Sequence, residues 1–150
     1  MERIKNNEIP QGLMVAMRGV QNYIDQCGLD PLLLDLMRIR VSQINGCAYC
    51  LDMHSKEALH AGETVQRLIS VSAWREAPYY SAPERAVLEF AELLTRMEEE
   101  AEIDTVHDEL LKYFTKAEIA NITVAIAQIN SWNRVVRSTG IVAGGYEVKK

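Results

Sequence analysis

The chain has 150 residues, 48% hydrophobic and 25% charged, with 8 Gly, 4 Pro and 3 Cys. This is the composition of one globular domain over residues 1–150, and it excludes collagen-like, low-complexity and largely disordered chains. A net charge of −5 without a basic stripe argues against nucleic acid and anionic membrane surfaces as partners.

The pattern is helical from end to end, with no alternating β-branched run. The polar start and the short apolar stretch Leu13 to Met17, cut by Arg18, do not form a targeting segment. A first helix fits Leu13 to Cys27, with Gly28 as its stop. Asp30 caps a second helix with Pro31 in its first turn, its apolar face using Leu32, Leu33, Leu36, Ile39 and Ile44. Asn45-Gly46 is a turn. A third helix follows from Cys47 to His60, and a short fourth spans Thr64 to Trp74. Ser81-Ala82-Pro83-Glu84 is a capping box opening a fifth, Asp104 caps a short sixth reaching Tyr113, and Thr115 to Glu118 is a second capping box. The helix it opens carries Ile119 to Ile129, apolar most of the way round, and so needs cover on most sides, from the core or from a partner subunit. Asn121, Thr123 and Gln128 interrupt that stretch, which falls short of the ~20 residues of a membrane span. The expectation is an all-α, single-domain bundle of about six to seven helices, soluble and cytoplasmic, with its last dozen residues ending loosely.

Chemistry concentrates at Asn45-Gly46-Cys47-Ala48-Tyr49-Cys50-Leu51-Asp52-Met53-His54. On a helix starting at the turn, Cys47, Cys50 and His54 share one face at offsets of three and four. The helix N-terminus favours a thiolate, His54 is a proton acceptor of suitable pKa, and two close thiols close into a disulfide once one is oxidised. A carboxylate should orient the histidine; spacing leaves Glu57 and Asp35 open, while Asp52 projects from the far side as a solvated charge. Cys27 reads as structural, and His60 and His107 as solvated. Arg38 or Arg40 could lower a thiol pKa, or form a surface ion pair. The acidic run Glu98-Glu99-Glu100 with Glu102 reads as a solvated helix end.

From Asp35 to His54 the chain closely resembles AhpD-like alkylhydroperoxidases of the carboxymuconolactone decarboxylase superfamily, Ile129-Asn-Ser-Trp-Asn-Arg134 looks like that family's second patch, and the resemblance covers most of residues 10 to 137. It implies an all-α antioxidant protein whose CxxC thiols reduce hydroperoxides, usually as a homo-oligomer, recharged by a dithiol or protein reductant. The relay it implies consists of Asp35, Cys47, Cys50 and His54, which favours Asp35 over Glu57. Two positions depart from the family pattern: aspartate stands at 35 where the family has glutamate, and Tyr49 stands inside the CxxC where the best-studied members have histidine. Tyr49 would shape the entrance or simply pack, and Trp132, Asn133 and Arg134 would line the site mouth, a subunit contact or the core.

Other chemistries fit less well. Zinc needs four ligands, or three and a water; Cys47, Cys50 and His54 are three, His60 lies too far along, and there is no second CxxC. No metal or organic cofactor is expected. The superfamily's lactone decarboxylases generally lack the paired cysteines. A non-catalytic redox-sensing helical oligomer is the alternative to an enzyme.

Overall fold

The computed structural model describes residues 2–98 and 102–148; Glu99 and Glu100 of the acidic run lie outside them. Among the described residues there are seven α-helices and no strand. They are α1 (Gln11–Asp25), α2 (Pro31–Asn45), α3 (Ala48–His60), α4 (Val65–Ser70), α5 (Ala82–Arg96), α6 (Ile103–Leu110) and α7 (Lys116–Thr139).

Local chemistry sets most of the boundaries. Asp30 accepts from Leu32 N at 3.0 Å and Pro31 opens α2, while both expected capping boxes form, Ser81 with Glu84 and Thr115 with Glu118. α2 ends at Gly46 with φ +62°, a left-handed position that costs glycine little and lets the chain reverse into α3. The expected fourth helix is shorter: α4 stops at Ser70 and a 3-10 turn, Val71–Ala73, carries the chain to Trp74. α6 has its N-cap at Glu102 rather than Asp104, and ends at Leu110 in turns that reach Tyr113.

α2 is the hub, packing against α3, α5, α7 and the 3-10 turn. Leu33, Leu34, Met37 and Val41 enter the larger core with Phe90, Ile122 and Ile126; Leu36 and Ile39 enter a second core with Ala58, Val71, Trp74 and Leu88. Each large aliphatic side chain so buried contributes about 1.5–3 kcal/mol. The expected single apolar stripe on α2 is therefore too narrow, and Leu32 and Ile44 are only half-buried.

Polar clamps join the two cores. Glu92 on α5 is 2% exposed and accepts from Arg40 Nε (2.7 Å), Trp74 Nε1 (2.9 Å) and Arg75 NH1 (2.7 Å). Arg40 thus pairs with Glu92 on the second core's side. α7 buries Ile119, Ile122, Ala125, Ile126 and Ile129, but its Ala120, Val124 and Ala127 are exposed on the single chain. α1 packs on α7, where Gln128 Nε2 donates to Met17 O at 2.7 Å.

Residues 141–148, expected to be loose, are tied down. Gly144 N donates to Asp52 Oδ2 (3.0 Å), and Lys56 Nζ donates to Tyr146 O (2.9 Å) and pairs with Asp52 (2.8 Å). Asp52, expected to be a solvated charge, is one of the anchors of residues 141–148; Lys56 and the Gly144 amide hold its carboxyl below the ordinary value even in water.

Candidate redox and proton-relay site

The turn between α2 and α3 is fastened from α7. Asn45 Nδ2 donates to Asn130 Oδ1 and Asn133 Oδ1, both at 2.9 Å, and Asn133 Nδ2 donates to Ser42 Oγ at 3.1 Å. Arg137 NH1 takes the Asn45 carbonyl at 2.7 Å, satisfying one of the carbonyls that a helix end leaves open. Asn133 is therefore a buried brace; Arg134 reaches back to Asn130 at the surface, and Trp132 packs on the larger core. The spacing of the later patch carried no indication of this role.

Cys47 is the N-cap of α3 and Cys50 lies in its first turn. The two are joined as a disulfide with Cα atoms 5.4 Å apart, and their residues are 0% and 2% exposed. Tyr49 between them packs on the larger core. Cys27 remains a free cysteine, half-buried against the same core.

One turn beyond Cys50, His54 is 4% exposed. Its Nδ1 lies 3.3 Å from Asp35 Oδ1 and 3.2 Å from Glu57 Oε2. The structure brings both candidate carboxylates to the histidine, and chooses neither. The ring N–H aims squarely at neither oxygen, since Nδ1 makes no well-directed hydrogen bond; the carboxylates hold it by charge and proximity. Burial alone would push the imidazole down, but the two carboxylates outweigh burial and the repulsion of Arg38, and His54 sits above its ordinary value. Burial likewise opposes ionisation of Glu57, yet His54, Tyr146 and Arg38 hold its carboxyl below the usual range.

Arg38 is buried beside this group and is not a surface ion pair. Its NH1 lies 3.4 Å from Asp35 Oδ1 and its NH2 2.8 Å from Asp25 Oδ1. His60 is exposed and His107 half-buried, both away from the thiols in sequence. Ligand atoms of Asp35, His54 and Glu57 lie within 4.8 Å of one another, but Arg38 and Tyr146 already engage the two carboxylates. The set has the character of an ion-paired histidine.

Sequence reasoning did not find Tyr146, whose hydroxyl donates to Glu57 Oε1 across 89 residues. No periodic signal marks a contact of that kind. Chemically, the arrangement is a pair of cysteines closed into a disulfide at a helix N-terminus, one turn from an imidazole that two carboxylates hold above its ordinary value.

A family model described as the Carboxymuconolactone decarboxylase family matches residues 11–93, a span that includes every one of these groups except Tyr146 and the α7 brace. The uncharacterised protein YdfG of Bacillus subtilis is 35% identical over 140 residues, covering 93% of this chain and 95% of that one. The alkyl hydroperoxide reductase AhpD of Streptomyces coelicolor is 37% identical over 70 residues, 45% of this chain and 39% of that protein. A crystal structure from Agrobacterium tumefaciens, of a protein of unknown function described as a candidate AhpD antioxidant defence protein, is 35% identical. It superposes with a TM-score of 0.91 over 97% of this chain and 100% of that one.

Proposed function

Because the chain belongs to the carboxymuconolactone decarboxylase family, in its AhpD-like branch, we propose that it is an antioxidant thiol peroxidase. It reduces alkyl hydroperoxides or hydrogen peroxide through Cys47 and Cys50. The observation that carries this reading is the Cys47–Cys50 disulfide at the start of α3, one helical turn before a histidine held between two carboxylates.

In the reduced protein one thiol gives its proton to His54 and attacks a peroxide oxygen. The O–O bond breaks, an S–O bond forms, and the departing alkoxide leaves as alcohol with the proton from His54. The second thiol then attacks the sulfenic sulfur; the S–S bond forms and hydroxide leaves with that thiol's proton as water. Two thiols have been oxidised and one peroxide reduced to alcohol and water. An external dithiol, small or carried on a protein, restores the pair by exchange.

The test is peroxide consumption by the reduced protein with excess dithiol, comparing wild type with Cys47→Ser and Cys50→Ser. Many turnovers by wild type and none by either variant is the expected result. The attacking sulfur is then the one that still forms a sulfenic acid when its partner is serine. A second reading, a redox sensor oxidised once, draws support from the burial of both cysteines. Consumption of about one equivalent, then arrest, with every dithiol donor tried would select the sensor over the peroxidase.

A further inference from the structure

Glu57 lies at the edge of the site with its side chain one-third exposed, where a glutamate ordinarily samples several rotamers in water. Here it is fixed at both oxygens, Oε2 facing His54 Nδ1 at 3.2 Å and Oε1 accepting from the Tyr146 hydroxyl. Tyr146 sits in a segment with no helix to hold it, yet that segment is pinned by Asp52, Lys56 and Glu57, successive outward groups of α3. Gly144 stands at φ +103°, in the region that side-chain-bearing residues rarely adopt, and makes the turn that delivers Tyr146. Asp35 is one methylene shorter than glutamate, and its Oδ1 also faces the Arg38 guanidinium. It is a carboxylate already shared.

We propose that Tyr146 is a positioning residue for the His54 relay: by holding Glu57 Oε1 it turns the other oxygen onto His54 Nδ1, so that the imidazole is served by two carboxylates, Asp35 and Glu57. The proposal rests on the peroxidase reading for its effect on turnover, and not for its effect on His54. Among the described residues, the charged groups facing His54 are Asp35 and Arg38 from α2 and Glu57 from α3, with Tyr146 reaching it only through Glu57 and Asp25 of α1 only through Arg38. Burial and the Glu57 charge hold the Tyr146 phenol far above its ordinary value, so it remains a donor throughout the working range.

The experiment uses the full chain with Tyr146→Phe, Glu57→Gln and the double variant. The first readout, made on oxidised protein and independent of activity, is the His54 imidazole titration by NMR. Removing the Tyr146 hydroxyl should shift the midpoint downward, and Glu57→Gln should shift it further. The second is kcat and KM for a hydroperoxide against pH. Here kcat falls on the order of 5-fold for Tyr146→Phe with KM unchanged, well inside the ~10²–10⁴ that acid–base catalysis contributes as a whole. Because Tyr146 acts through Glu57, the double variant should be no worse than Glu57→Gln alone. An unmoved His54 midpoint in Tyr146→Phe, or effects of the two changes that simply add, overturns the proposal. A moved midpoint in Tyr146→Phe, together with a wild type that shows no Cys47-dependent turnover, refutes the peroxidase reading and leaves the positioning role standing.

Discussion

Consider Glu92→Gln, a change of almost no volume at a side chain 3% exposed. The amide keeps an acceptor for Trp74 Nε1, and Arg75, about half exposed, regains water, so their shares of the loss are small. The cost falls on Arg40, whose side chain is 13% exposed and whose charge loses its counter-ion. Removing one partner of a buried pair costs ~3–5 kcal/mol, and the partial exposure of the cluster points to the lower end, about 3 kcal/mol. For a chain of this size that is a fall in Tm of roughly 6–12 °C, read by thermal melts and urea curves monitored by circular dichroism. Adding Arg40→Met should recover part of the loss, because no orphaned charge then remains. The effect has a signature in pH. Burial opposes ionisation of Glu92, but Trp74, Arg75 and Arg40 outweigh it and hold the carboxyl at about 2. A lowered folded value means that the stabilisation is complete above the unfolded carboxyl's range, near 4.5, and is lost as pH falls toward 2. The gap between wild type and Glu92→Gln should therefore narrow from pH 4.5 downward. A gap below about 1 kcal/mol at neutral pH, or one that stays constant from pH 5 to 2.5, refutes the reasoning.

Two further outcomes follow from the site and from the surface. His54 has a raised folded value, so its contribution is complete below the unfolded imidazole's 6.5 and is lost as pH rises through the folded value. Urea midpoints of the oxidised protein, in which neither bonded cysteine titrates, should fall above pH 6.5 in wild type and stay flatter in His54→Asn; parallel curves would sink the assignment. The family resemblance implies a homo-oligomer, and α1 leaves Leu13, Val15 and Val20 exposed while α7 leaves Val124. If a second copy covers them, light scattering should give a multiple of 17.0 kDa that Val15→Asp or Val124→Asp reduces; a monomer at all concentrations ends the idea.

The elements were legible because they are marked locally: Asp30-Pro31, Asn45-Gly46 and the two capping boxes act within a turn of their own position. The thiols and His54 were legible for the same reason, since offsets of three and four need only a helix to bring them together. What escaped was set by tertiary packing. Polarity placed Asp52 in solvent and left Arg38 between a thiol and a surface ion pair, whereas Arg38 is buried between Asp25 and Asp35 and Asp52 ties down residues 141–148. A single stripe was read on α2 because a helix surrounded on nearly all sides has no stripe, only an almost continuous apolar surface broken by paired charges. Between Asp35 and Glu57 the spacing had no power to choose, since both reach His54.

The α2–α3 hairpin also imposes an order of assembly. Asp35 and His54 are nineteen residues apart and the two cysteines three, so closing these contacts costs little chain entropy. Glu57 and Tyr146, 89 residues apart, meet only once synthesis has passed residue 146. On a ribosome making about 5–20 residues per second, the dithiol and its histidine emerge several seconds ahead of the tyrosine that completes the carboxylate pair. On the positioning role proposed for Tyr146, residues 141–148 are the last component of the site to be installed.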